Sequence, residues 1–168
     1  MRTQSVRDVA PGKSSRDRRS LMAVGTVTAV LAGLHLVDHA LRGRQVAAHG
    51  LDPAWDHSGW PAGDAVTPYT FSLVAVSVIL LGGLVLTRRG TVWAGYWLGA
   101  SLVLGAIVTV VHFLPTAKQE SPAVIYGSWP GRPLAGAVAV AITFSIVVAL
   151  VVMAVTAVRV RRRSGTWT

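Results

Sequence analysis

The sequence predicts an all-α polytopic membrane protein, a four-transmembrane-helix bundle with both termini cytoplasmic. Three observations lead to this fold class. The 168 residues are 52% hydrophobic and only 14% charged, whereas soluble domains carry about 25% charged residues. The apolar residues are collected in four long runs. Lysine and arginine are concentrated on one side of those runs, which indicates a consistent orientation in a membrane.

The four apolar runs define the predicted spans. Each has roughly 20 residues or more, which suffices to cross about 30 Å of hydrocarbon at about 1.5 Å per residue. We expect the spans at about 21–41, 68–87, 91–114 and 134–158, joined by outer loops at 42–67 and 115–133 and by an inner turn at 88–90.

Residues 1–20 and 159–168 are polar and basic tails that flank the predicted membrane domain. The first tail lacks hydrophobic periodicity, so we expect it to be disordered. Both tails are predicted to be cytoplasmic, because together with the turn at 88–90 they hold twelve of the 16 Lys and Arg residues. The expected location is the plasma (inner) membrane, and the Ala, Val, Gly and Arg bias is typical of a high-GC bacterial genome.

The net charge of +9 has a membrane explanation. Its basic residues flank the apolar runs, where they orient helices and contact anionic lipid headgroups. The expected partner is therefore the lipid bilayer, and nucleic acid is not expected.

A candidate site lies at the predicted outer side, which holds all five histidines. His35 and His39 are four residues apart on the first span, so they share a helix face. Asp38 lies between them, and His112 is near the outer end of the third span. Three further residues, Gly25, Thr28 and Ala32, continue the face of His35 and should point into the bundle. We predict that the imidazoles and the carboxylate converge at one level.

Such a cluster could bind a cofactor. The chain has no cysteine, so imidazole and carboxylate are the available ligands for a transition metal such as zinc, copper or iron, or for haem b. In the metal hypothesis His35, His39 and His112 bind the ion, and Asp38 supplies a fourth ligand or orients a histidine. In the haem hypothesis His112 binds the iron from one face of the haem, and His35 or His39 binds it from the other face. Alternatively, Asp38 pairs with Arg42 at i,i+4.

The first outer loop, 42–67, is long enough to act as a lid over this cluster. His49, Asp56 and His57 could add ligands from above. The alternative is an interfacial loop held in place by its tryptophans.

Two other functions fit the sequence. Gly95 and Gly99 form a GxxxG motif, which lets helices approach closely, either inside the monomer or in contact with a membrane partner or a second copy. The chain would then be a non-catalytic subunit. The second alternative is a small proton-coupled transporter, although spans two and four contain no charged residue. No P-loop, HExxH or GxSxG motif is present, so no sequence motif indicates a particular reaction.

Overall fold

The computed structural model describes residues 11–50, 68–91, 94–114 and 120–164. Over these ranges it contains helices, turns and no strand, which confirms the all-α prediction. In chain order the helices are α1 (Pro11–Ala48), α2 (Pro68–Arg88), α3 (Ala94–Phe113), α4 (Pro122–Gly127) and α5 (Pro133–Ser164).

Three helices in the described ranges are long and apolar enough to cross a membrane. They contain the segments Ser15–Val46, Ala94–Phe113 and Pro133–Ser164, of 32, 20 and 32 residues. In α2 the segment Val74–Arg88 is apolar but shorter. Three helices are therefore compatible with a membrane protein. That α2 crosses the membrane as a fourth span stays a prediction.

Two helices extend beyond the predicted spans. Helix α1 begins at Pro11, so residues 11–20, which we expected to be part of a disordered tail, are helical. Helix α5 continues to Ser164, past the predicted end at 158. The added turns are rich in arginine, which has high helix propensity although it is too polar for hydrocarbon. Residues 1–10 and 165–168 lie outside the described ranges.

The four long helices form a bundle in which α1 packs against α2 and α5, and α3 packs chiefly against α5. Near the start of α1, Asp17 Oδ1 lies 3.2 Å from Arg163 Nη1 near the end of α5. Both ends of the described chain thus lie at the same end of the bundle, which is the arrangement expected if both termini are on one side. The guanidinium is exposed, so this pair adds little stability.

The core at that end is organised around Trp97, which is fully buried on α3. Its Nε1 donates a hydrogen bond to Thr87 Oγ1 at 2.8 Å, and Thr87 donates to the carbonyl of Gly83 at 2.7 Å. Across the core, a Cβ atom added at Gly25 would lie 2.8 Å from Trp97 Cη2. The predicted inward face of α1 is therefore confirmed, and Thr28 and Ala32 are buried with Gly25.

Gly95 and Gly99 do not pack inside the monomer. Both are exposed, and a Cβ atom added at either would meet nothing within 4 Å. Of the two alternatives for this GxxxG motif, packing inside the monomer is not seen among the described residues, and pairing with a partner or a second copy stays a prediction. Close approach occurs instead at Gly25 and at Gly83, where an added Cβ would lie 2.6 Å from Tyr96 Cε1.

The predicted second outer loop contains the short helix α4. Ser121 is its N-cap, accepting from the backbone N–H of Val124, and Pro122 occupies the first turn. Ile125 is fully buried, and an added Cβ at Gly136 of α5 would lie 2.8 Å from the carbonyl oxygen of Tyr126. Helix α4 is thus held on the start of α5, which fixes the residues just before it.

Candidate functional site

Six ionisable residues meet at the end of the bundle opposite the Asp17–Arg163 pair, and we call them the polar cluster. Helix α1 supplies four of them, α3 supplies one, and the turn before α4 supplies the last. The members are His35, Asp38, His39, Arg42, His112 and Glu120.

Arg42 is the centre of the polar cluster and has no exposed surface. Its Nε donates to Asp38 Oδ2 at 2.8 Å, and its Nη2 donates to Glu120 Oε2 at 3.0 Å. The predicted i,i+4 pair between Asp38 and Arg42 is confirmed. A buried guanidinium needs such partners, because an unpaired buried charge is strongly unfavourable.

Glu120 connects the two helices of the polar cluster. Besides accepting from Arg42, its carboxylate accepts from His39, whose Nε2 lies 3.2 Å from Oε1. Its backbone carbonyl accepts from His112 Nδ1 at 2.7 Å. A carbonyl oxygen only accepts, so Nδ1 of His112 carries the hydrogen. One residue thereby links α1 to α3.

The pKa of the Glu120 carboxyl is lowered from 4.5 to about 2. Burial alone would raise it, but the hydrogen bond from His39 and the charge of Arg42 outweigh burial. Because the folded-state pKa is depressed, this carboxylate stabilises the fold fully above about pH 4.5. That contribution is lost as the pH falls toward about 2.

His35 lies deepest in the polar cluster. Its ring meets the ring of His112 edge to face, with centroids 5.1 Å apart and an interplanar angle of 83°. His35 Nδ1 is buried and has no hydrogen-bond partner in the described part of the chain. The sequence-predicted residues His35, Asp38, His39 and His112 therefore do come together, but most of their polar atoms already bond protein groups.

This arrangement does not fit the predicted metal or haem site. Among the described residues no group of three or more His, Asp or Glu side chains is arranged to hold a metal ion. Asp38 is bonded to the cationic Arg42. The direct contact between the rings of His35 and His112 leaves no space for a porphyrin between them.

The predicted lid ligands do not join the polar cluster where the structure describes them. His49 is exposed at the end of α1, and its Nδ1 bonds the carbonyl of Gln45 at 2.9 Å. Asp56 and His57 lie outside the described residues.

Glu120 is the residue that the sequence-based site omitted. It is the only glutamate in the chain, and it is 78 positions from Arg42. The sequence held one electrostatic indication of Glu120. A buried arginine that is paired with one aspartate still has N–H donors to satisfy, so a second acceptor is expected beside it.

Comparison of the chain with protein-family models, with curated proteins and with solved structures finds no match. The fold and the polar cluster are therefore the features of the molecule that point to a function.

Proposed function

We propose that the chain is a four-span plasma-membrane protein with cytoplasmic termini, and that its polar cluster is an outward-facing proton-binding site. Helix α2 has 21 residues in all, a length that suits a membrane crossing. The arginine-rich ends of α1 and α5 lie together, as the positive-inside rule expects of a cytoplasmic side. The polar cluster is at the opposite end, which this topology places outside.

The observation that carries the proposal is the charge balance around Arg42. Two carboxylates, Asp38 and Glu120, face one guanidinium. The polar cluster is therefore neutral only when one imidazole carries a second proton. His39 is the imidazole in contact with the carboxylate of Glu120. Among the described residues, the other imidazoles of the polar cluster are those of His35 and His112.

Among the described residues, the bundle offers this proton no polar route onward. Below the polar cluster, Thr28 and Thr143 bond carbonyl oxygens of their own helices. The buried positions around them include Leu104, Ile146 and Leu150. Proton carriers use chains of ionisable groups, and the described part of this core contains none. The proton would enter and leave at the same face, as in a sensor of external acidity.

Glu120→Gln should lower the thermal midpoint of the detergent-solubilised protein by roughly 2–4 °C more at pH 6 than at pH 8. A proton taken up by the polar cluster adds an ionic attraction to the Glu120 carboxylate, and a difference of about 1 kcal/mol corresponds to a shift of that size. His39→Gln should show the same pH dependence, since Gln keeps a hydrogen bond without the charge.

The matched control is His49→Gln, which removes an exposed histidine at the same end of α1 and should have the same effect on the midpoint at both pH values. An effect of Glu120→Gln that is equal at pH 8 and pH 6 would refute the assignment of the proton to the polar cluster. Proton flux through the protein in liposomes, monitored with an enclosed pH dye, would contradict the sensor interpretation and favour a carrier.

A second candidate function is association with a membrane partner or a second copy. The specific observation is that Gly95 and Gly99 present open, exposed surface on α3, and GxxxG surfaces suit helix pairing.

On this alternative, Gly95→Leu and Gly99→Leu should weaken association measured by crosslinking in membranes, because the larger side chains keep two backbones apart. Both changes should leave the monomer folded, since a Cβ atom added at either position meets no described residue within 4 Å. His39→Gln should leave association unchanged. A monomeric wild-type protein would exclude self-association.

A further inference from the structure

A narrow apolar groove runs between α1 and α2. Its empty volume is about 1070 Å³, and along α1 it extends from Ala29 to Arg44. The groove exists because small α1 side chains stand opposite larger side chains of α2. Its walls include Ala32, Gly33 and Ala40 on the first helix, and Val76, Leu80 and Leu81 on the second.

The groove opens sideways, toward the lipid that would surround the bundle. Val37 and Leu81 on its walls are 58% and 56% exposed, and the whole α1 wall lies within the apolar segment Ser15–Val46. Leu41 lies near the membrane surface and Ala29 lies deeper, and the groove between them is about 18 Å long at 1.5 Å per residue. This length is close to the ~15 Å thickness of half a hydrocarbon core. Its depth therefore matches one leaflet.

Arg44 marks the headgroup end of the groove. It is exposed, and it forms no ion pair with any residue that the structure describes. It follows Arg42 by two positions, about 200° around the helix, so it points away from the polar cluster. An arginine at this level is placed to bind a phosphate, and guanidinium and phosphate form strong charge-assisted hydrogen bonds.

The width of the groove identifies what it can hold. Spread over about 22 Å of α1, the empty volume of about 1070 Å³ between the helices gives a mean cross-section of about 49 Å². A second helix, about 10–12 Å in diameter with its side chains, covers roughly twice that area. A single extended hydrocarbon chain is narrow enough to enter.

We propose that the groove binds one anionic phospholipid, with an acyl chain between α1 and α2 and the phosphate on Arg44. This lipid site is separate from the proton site and does not depend on it. An anionic headgroup is favoured because the guanidinium has no carboxylate partner among the described residues.

Native mass spectrometry of the full chain in detergent tests this proposal. The probes are dioleoyl phosphatidylglycerol and dioleoyl phosphatidylcholine, which share their chains and differ in headgroup charge. The wild-type protein should retain one phosphatidylglycerol and bind phosphatidylcholine at least about tenfold more weakly. Arg44→Gln should reduce phosphatidylglycerol binding to the phosphatidylcholine level.

Gly33→Leu should reduce binding of both lipids at least tenfold, because Gly33 lines the groove and a Cβ atom added there meets no protein atom within 4 Å. The matched control is Gly105→Leu on α3, which also adds a side chain in open space but outside the groove. Thermal melting verifies that each variant is folded, and Ala40→Leu replaces Gly33→Leu if the latter is not.

Wild-type lipid retention in folded Gly33→Leu and Ala40→Leu would overturn the proposal. An Arg44→Gln variant that still prefers phosphatidylglycerol would overturn the role of the arginine. Phosphatidylglycerol with a photoreactive acyl chain should label residues 29–41 of α1, whereas a crosslink from these residues to the protein's own chain or to a second copy would show another occupant. His39→Gln should not change lipid retention, so failure here is distinguishable from failure of the proton site.

Discussion

Replacing Arg42 with Gln should lower the free energy of unfolding by about 3–5 kcal/mol, the usual cost of removing one partner from a buried ionic network. The guanidinium has no exposed surface and bonds both Asp38 and Glu120. Without it, two carboxylates remain in a buried site with no compensating guanidinium. Unfolding in mixed micelles with increasing denaturing detergent, followed by circular dichroism, measures the loss.

Arg44→Gln, measured in micelles without added phospholipid, is the matched control, because Arg44 is an exposed arginine two residues further along the same helix. Its effect should stay within about 0.5 kcal/mol. Equal losses in the two variants would mean that the loss comes from helix propensity or net charge rather than from the network.

A triple variant isolates the electrostatic cause of that loss. Combining Arg42→Met with Asp38→Asn and Glu120→Gln removes all three charges together, and uncharged replacements of buried ion networks are often as stable as the originals. The triple variant should therefore be more stable than Arg42→Gln alone. A triple variant that is less stable than Arg42→Gln would give the opposite conclusion. The stabilisation from the hydrogen bonds of the network would then exceed the free-energy cost of burying its charges.

The part of the polar cluster that lies on one helix could be predicted from spacing. His35, Asp38, His39 and Arg42 repeat at intervals of three and four, which places them on one face whatever the rest of the chain does. His112 could be added because its span ends at the same level. Which residues share a face of one helix depends only on their spacing, so it can be predicted from the sequence alone.

Glu120 could not be placed in the same way. Its position depends on the turn before α4 and on the docking of α4 against α5, where Ile125 is buried and Tyr126 closely approaches Gly136. The Ser121-Pro122 cap is a recognisable helix start, but a six-residue helix has too little periodicity to reveal which face it buries. Without Glu120 the histidines resemble vacant ligands, which is why a metal or haem site was predicted.

The helices themselves followed from hydropathy, since long apolar runs in a bilayer can satisfy their backbone only as helices. Hydropathy could not show how those helices rotate. Gly95 and Gly99 were expected to pack inside the monomer or against a partner, and within the described chain they are exposed, whereas Gly25 and Gly83 make the close contacts. Those contacts are with Trp97 and its neighbour Tyr96, and Trp97 is the largest fully buried side chain among the described residues.

Trp97→Ala should therefore be the most damaging change in the apolar core. Within a bilayer the loss is one of packing rather than of transfer from water. A cavity on the order of 100–150 Å³, at about 24 cal/mol per Å³, corresponds to about 3 kcal/mol. The hydrogen bond from Nε1 to Thr87 is lost as well. The same detergent titration measures the effect, and Gly105→Ala, in open space on the same helix, is the control.

A double-mutant cycle between Gly25 and Trp97 tests whether these residues contact each other as described. Gly25→Ala alone should cost about 1–3 kcal/mol by overpacking, because its Cβ would lie 2.8 Å from Trp97 Cη2. Trp97→Phe removes the far end of the indole and opens that space. In the Trp97→Phe background Gly25→Ala should therefore cost less, with a coupling of about 0.5–3 kcal/mol. Additive losses would show that the indole does not lie against Gly25, and the helix rotation inferred from it would be wrong.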